Sequence, residues 1–171
     1  MPRWFIIPSL VSSLLLGAAA SAAAQRAIVL VRHAEKLDAS DDTVLSRAGE
    51  ARAVALAELL KASGVTHVIT TEYRRTKATA APLARLMNLT PESVPAKQIE
   101  GLVARLQAMP ADAVVLVVGH SNSVPTTLSR LGSKTTVTLA EGDFDNAFVV
   151  VPRGSGEPAV VRLKYGRPTT P

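Results

Sequence analysis

Ala113-Val114-Val115-Leu116-Val117-Val118-Gly119-His120-Ser121-Asn122 opens with six apolar residues and then turns abruptly polar. The apolar run does not alternate, so both faces of the strand it forms must be buried. That is the pattern of an inner strand in a parallel sheet. A second such run, Ala27-Ile28-Val29-Leu30-Val31, leads directly into Arg32-His33, and a third, His67-Val68-Ile69-Thr70-Thr71, leads into Glu72-Tyr73-Arg74-Arg75. Helical segments separate these runs. Ser46 offers an N-cap, Ala48, Ala51, Ala55, Leu59 and Ala62 recur at helical spacing, and Gly64 fits the end of that helix. Arg74 to Met87 is helical in pattern, with Pro82 expected to kink it or start a new segment. Lys97 to Met109 places Ile99, Leu102, Val103 and Leu106 on one face, and a short helix is expected near Val124 to Leu131. Two late strands, Ala147 to Val151 and Ala159 to Leu163, flank Pro152-Arg153-Gly154-Ser155-Gly156 as an edge hairpin, and Thr169 to Pro171 are expected to fray. The class is α/β: a three-layer sandwich with a mostly parallel central sheet flanked by helices.

The composition narrows the chemistry. The chain has 171 residues, 47% of them hydrophobic, which suits one domain with a real core and excludes disorder throughout. It has no cysteine, hence no disulfide, thiolate metal site or cysteine nucleophile. The three histidines, His33, His67 and His120, lie far apart in sequence, and there is no glycine-rich dinucleotide loop. No metal and no cofactor is therefore expected, and activity is expected to survive a chelator. The formal charge of +5 comes from scattered basic residues whose one tight group, Arg74, Arg75 and Lys77, has no interleaved aromatics. Nucleic acid is not the expected partner.

Residues 1–24 read as a signal peptide. Arg3 is followed by an apolar run from Trp4 to Leu16 and then by small residues up to Ala24, in the order of a secretory leader with an A-x-A cleavage site. The alternative is an uncleaved anchor, since the stretch approaches the roughly 20 residues needed to span a bilayer. The expected product is an exported domain over residues 25–168, periplasmic or secreted, with no stable membrane span once the leader is cut.

Ligands of doubly wound α/β folds collect outside the carboxyl ends of the strands. Arg32-His33, the Thr71 to Ala80 segment and Gly119-His120-Ser121-Asn122 all fall there. Two imidazoles with several guanidiniums at one rim suit a phosphoryl group. Guanidiniums pair with phosphate oxygens and keep their charge. A neutral imidazole nitrogen can attack phosphorus and carry it as phosphohistidine. A small phosphorylated substrate, or a phosphate group of the envelope, is the expected partner.

These residues resemble the signatures of the histidine phosphatase superfamily, in its phosphoglycerate mutase-like branch. Arg32-His33-Ala34 is similar to its Arg-His-Gly signature with alanine for glycine, and Leu45-Ser46-Arg47-Ala48-Gly49 resembles its Leu-Thr-x-x-Gly helix start. Thr71, Arg75, Thr79 and Ala80 fit its Ser-x-x-x-Arg-x-x-x-Thr-Ala pattern, and Gly119-His120 matches its late Gly-His. The resemblance spans Ala27 to Leu163 and implies a phosphoglycerate mutase-like fold. It makes His33 the nucleophile, with Arg32, Arg75 and His120 completing the phosphate pocket. Asn122 joins the rim on position alone. Arg75, four residues from both Thr71 and Thr79, fits the pattern where Arg74 does not. His67 reads as a strand-start histidine, and Glu35 and Lys36 as either an ion pair, a solvated turn or substrate contacts.

The general acid is not assigned. Glu92 and Glu100 lack a supporting motif, while Glu72, Asp143 and Asp145 are placed near strand ends. Relatives lacking this acid hydrolyse phosphohistidine. The expected function is a phosphomonoester hydrolase working through a phosphohistidine. The alternatives are a phosphohistidine phosphatase and a catalytically weak phosphate-binding envelope protein.

Overall fold

Six strands and four helices alternate along the chain, as the apolar runs require: β1 (Ala27–Arg32), α1 (Arg47–Leu60), β2 (His67–Thr70), α2 (Arg74–Leu86), β3 (Glu92–Ser93), α3 (Ile99–Gln107), β4 (Val114–Gly119), α4 (Ser123–Arg130), β5 (Asn146–Val151) and β6 (Ala159–Lys164). The computed structural model describes Met1, residues 27–153 and residues 156–169. The expected leader, Met1 apart, lies outside the described residues, as do Gly154 and Ser155 of the hairpin turn and Thr170 and Pro171 of the tail.

The strands form one sheet in the order β3-β2-β4-β1-β5-β6. Pairings β2·β3, β2·β4 and β1·β4 are parallel, while β1·β5 and β5·β6 are antiparallel. Only β5 therefore runs against the rest. Successive residues of a strand face opposite sides, and the inner strands bury both. Val29, Val31, Leu116 and Val118 pack with Leu56 and Leu60 of α1 and with Ala80 and Leu83 of α2. Ile28, Leu30, Val115 and Val117 pack with Leu106 of α3 and with Val124 and Leu128 of α4. Each such fully buried side chain contributes roughly 1.5–3 kcal/mol of transfer free energy. The three-layer sandwich follows directly.

Several boundaries differ from the sequence reading. α2 runs unbroken through Pro82. Buried Ala80, Leu83 and Ala84 anchor it on both sides of the proline, and that packing outweighs one missing backbone bond. α1 ends at Leu60 with Lys61 as its cap, and Gly64 takes the left-handed backbone (φ 69°) three residues further on. α3 is shorter than expected at both ends. β3 has two residues, too few to show any hydrophobic period. The tail does not fray at Thr169. The Thr169 N–H donates to Asp145 at 3.2 Å, and buried Tyr165 joins the core beside α1 and α2.

Candidate active site

β1 and β4 end side by side, with Arg32 in register with Gly119, so their two polar continuations emerge together. The His33 backbone N–H donates to the Gly119 carbonyl at 2.9 Å and extends the pairing past the last strand residue. The His33 and His120 rings meet edge to face with centroids 5.3 Å apart. Both are buried, at 4% and 9% exposure.

His33 Nδ1 lies 2.8 Å from the Ala34 carbonyl. A carbonyl only accepts, so Nδ1 carries the proton and the neutral ring keeps its lone pair on Nε2. Burial pushes the His33 pKa down to about 3. The charges of His120, Arg75 and Arg32 lower it further, against the opposing pull of the Ala34 hydrogen bond. His120 is lowered to about 4, chiefly by burial and then by Arg75, with Glu72 opposing. Both rings are neutral at pH 7.

Hydroxyls of the second motif hold His120 in place. Its Nε2 is 3.1 Å from Thr71 Oγ1, which is 3.0 Å from Thr76 Oγ1, and Thr76 donates to the Tyr73 carbonyl at 2.8 Å. On the other side of the ring, Arg75 Nη2 stands 3.5 Å from Nδ1. From the start of α4 the Ser123 hydroxyl accepts the His120 backbone N–H at 2.8 Å. A Cβ on Gly119 would stand 2.7 Å from that hydroxyl oxygen, which accounts for glycine before His120.

The two arginines are fixed by carbonyls and keep donors in reserve. Arg32 donates through Nη1 to the carbonyls of Ala140 and Glu141, both at 2.7 Å, and lies over the Phe144 ring at 4.2 Å. Arg75 donates through Nη1 to the Asp41 carbonyl at 2.6 Å and lies over the Tyr73 ring at 4.2 Å. The Nε–H of each has no partner. Thr79 joins the second motif to the first: its hydroxyl donates to the Arg75 carbonyl and accepts the Ala34 N–H.

The residues predicted for the rim come together. Arg32, His33, Arg75, His120 and Asn122 all line one open cleft of about 520 Å³, with Asn122 exposed at the start of α4. Arg74 is exposed and turns away, its backbone N–H bound by Asp42. His67 stands at the opposite, amino-terminal end of β2, with Nδ1 on Thr66. Glu35 is spent on a two-pronged ion pair with Arg52, whose guanidinium also donates to the carbonyls of Tyr165 and Arg167. It is not a cleft residue.

Most of the acids considered are engaged elsewhere. Asp145 is buried against Lys164, Asp143 accepts the Ala140 N–H, Glu92 pairs with Arg105 and Glu100 with Arg130. Glu72 accepts the Ala96 N–H at 2.7 Å. The carboxylate on the cleft wall is instead Glu141, whose Oε1 is 3.4 Å from Arg32 Nη2. Sequence reasoning missed it because an irregular loop carries no period, and its neighbours Asp143 and Asp145 looked equally placed. Tyr73, Phe144 and Lys97 were missed for the same reason, whereas Lys36, named with Glu35 as a substrate contact or a local turn residue, does line the cleft. Among the described residues, no group of three or more His, Asp or Glu side chains converges as a metal site.

A three-layer α/β fold with two facing histidines and two arginines at the strand ends defines a phosphoglycerate mutase-like protein. Residues 28–97 match the family model of the histidine phosphatase superfamily, branch 1. Over that stretch, 70 of the 171 residues, the chain is similar to the superfamily. Among solved structures it is similar to the protein histidine phosphatase SixA complexed with tungstate (TM-score 0.68, 22% identity, covering 81% of this chain and 96% of that one). It is also similar to a mycobacterial glucosyl-3-phosphoglycerate phosphatase (TM-score 0.65, 16% identity, 82% and 98% covered) and to mycobacterial hydrolase 1 (TM-score 0.63, 15% identity, 80% and 96% covered). At these identities the likeness is one of fold. No curated protein matches the chain by sequence.

Proposed function

We propose that the chain is a phosphomonoester hydrolase that works through a phosphohistidine on His33. The match of residues 28–97 to the histidine phosphatase family model supports a phosphatase in general. The observation that carries the finer reading is the His33 ring itself, locked by the Ala34 carbonyl with its free nitrogen beside His120 in a cleft walled by two arginines. Arg32 and Arg75 take the phosphoryl oxygens through their unspent N–H groups and offset charge that builds during transfer. His33 Nε2 attacks phosphorus and the ester P–O bond breaks. The leaving oxygen takes a proton at the cleft mouth, where Glu141 is the carboxylate among the lining residues. Water then attacks the phosphohistidine, the P–N bond breaks, and inorganic phosphate leaves with His33 restored.

His120 and its hydroxyl chain hold the second imidazole against the transferring group. The leader-like composition of residues 1–24 supports an exported enzyme acting in the periplasm or outside the cell. Turnover of an aryl phosphate by the purified protein, with a chelator present, is the direct test. Hydrolysis is expected. An intact protein that binds phosphate but turns over no ester contradicts the reading and leaves a binding protein.

A further inference from the structure

We infer that Lys36 and Lys97 form a second anion subsite in the cleft, so that the substrate is a small molecule carrying another anionic group besides the phosphoryl group that is removed. The inference rests on the phosphatase reading of the same cleft and narrows its substrate class.

The cleft is far roomier than one phosphoryl group requires; its 520 Å³ falls among sites for whole small molecules. The reacting phosphoryl group takes the inner end, between the two histidines and Arg75. The same cleft is also lined by Lys36, Lys97, Ser121 and Asn122, with Tyr73 and Ile99 as its main apolar bodies. Neither lysine forms an ion pair with a described residue. The acidic groups beside Lys36 in sequence are engaged: Glu35 is paired with Arg52, and Asp38, on which the Lys36 charge also acts, is turned onto the Ser40 N–H at 2.9 Å.

Both lysines rise from fixed backbone. Lys36 bridges Leu45, and the adjacent Leu37 N–H donates to the Val44 carbonyl at 3.0 Å. Lys97 follows Ala96, whose N–H is held by the Glu72 carboxylate, and precedes Gln98, whose N–H donates to the Pro95 carbonyl. Two separate loops thus deliver an ammonium to one cleft. Four cations line that wall against one carboxylate, Glu141, and both imidazoles are neutral. A monoester dianion together with Glu141 still leaves the wall positive. A lysine ammonium is a compact point charge that takes phosphate or carboxylate equally well. The fitting substrates are bisphosphates, diphosphates and phosphorylated acids. A phosphorylated neutral alcohol or a lone phospho-imidazole leaves the lysines unanswered.

The experiment is calorimetric binding of non-hydrolysable probes to the whole protein: methylphosphonate, methylenediphosphonate and phosphonoacetate. The two doubly anionic probes are expected to bind about tenfold more tightly than methylphosphonate. A gain for methylenediphosphonate alone means the second group is a phosphoryl; a gain for both means any anion serves. In the Lys36→Ala, Lys97→Ala double variant the advantage should fall to about twofold or less, whereas Lys61→Ala, at the far end of α1, should retain it. Equal binding of all three probes, or an advantage that survives in the double variant, overturns the inference. Aryl phosphate turnover separates the two layers. Turnover without a double-anion preference sinks the subsite alone, while the lysine-dependent preference without turnover sinks the phosphatase reading alone.

Discussion

His33 keeps its lone pair because its ring is buried among other imidazole and guanidinium groups, and a proton there would add positive charge to a site already rich in it. Burial and the same guanidiniums hold His120 down as well. For activity, the free-enzyme kcat/KM is then expected to show no acid limb near 6.5, the ordinary histidine value. A limb with its midpoint there would place the nucleophile in an ordinary environment and contradict the buried pair. For stability the sign is the reverse of a salt-bridged histidine. The unfolded chain binds protons that these rings refuse, so stability is fully present above about pH 6.5 and is lost as the pH falls toward 3–4.

Arg75→Ala removes one wall of the phosphate site and is expected to lower turnover about a hundredfold, roughly 3 kcal/mol of transition-state stabilisation. Arg74→Ala, at an exposed neighbour, is expected to cost far less. Equal losses, measured by steady-state kinetics, would mean the register of the motif is misread. That register was legible in the resemblance, where Arg75 stands four residues from both Thr71 and Thr79; α2 then sets Arg75 and Thr79 at i, i+4, while Thr71 lies before the helix. Glu141 was not legible, since its place depends on a loop folding back so that two of its carbonyls meet Arg32.

At the scale of elements, the first motif depends on how α1 seats on the loop after β1. Ser46 caps α1, accepting the Gly49 N–H at 3.2 Å, and donates its own backbone N–H to the Glu35 carbonyl. Gly49 then packs so closely that a Cβ there would lie 2.3 Å from the Glu35 carbonyl oxygen. Backbone cannot yield as a flexible side chain does. Gly49→Ala is expected to destabilise the fold by about 1–3 kcal/mol, the usual cost of overpacking, and to shift the loop that carries His33. An unchanged melting temperature would contradict this contact. The part-buried Glu35–Arg52 pair ties the same loop to the carboxyl-terminal tail through the carbonyls of Tyr165 and Arg167. The inner strands announce themselves by continuous apolar runs, because a strand buried on both faces has no polar side to interrupt it. β3 and the anchored tail gave no such signal: one is two residues long, and the other is held by single hydrogen bonds rather than by a repeating face.

At the scale of the molecule, the sheet brings three distant stretches to one edge because β1 lies directly beside β4, and β4 beside β2. This adjacency was foreseeable in kind, since parallel sheets gather their carboxyl ends. The order of the strands required the structure. The proposal of export rests on the sequence of the segment before β1. Mass spectrometry of the exported protein is expected to find a new terminus between Ala22 and Arg26, and a soluble cytoplasmic product still beginning at Met1 would contradict it.

The central claim is that His33 carries the phosphoryl group in the course of turnover. Rapid-quench labelling with a phosphate-labelled substrate, followed by peptide mapping under alkaline conditions that preserve a phosphoramidate, tests it most directly. The account predicts acid-labile label on the peptide containing His33, absent from His33→Ala. Label on the peptide containing His120, or rapid turnover with no covalent label at all, would contradict it.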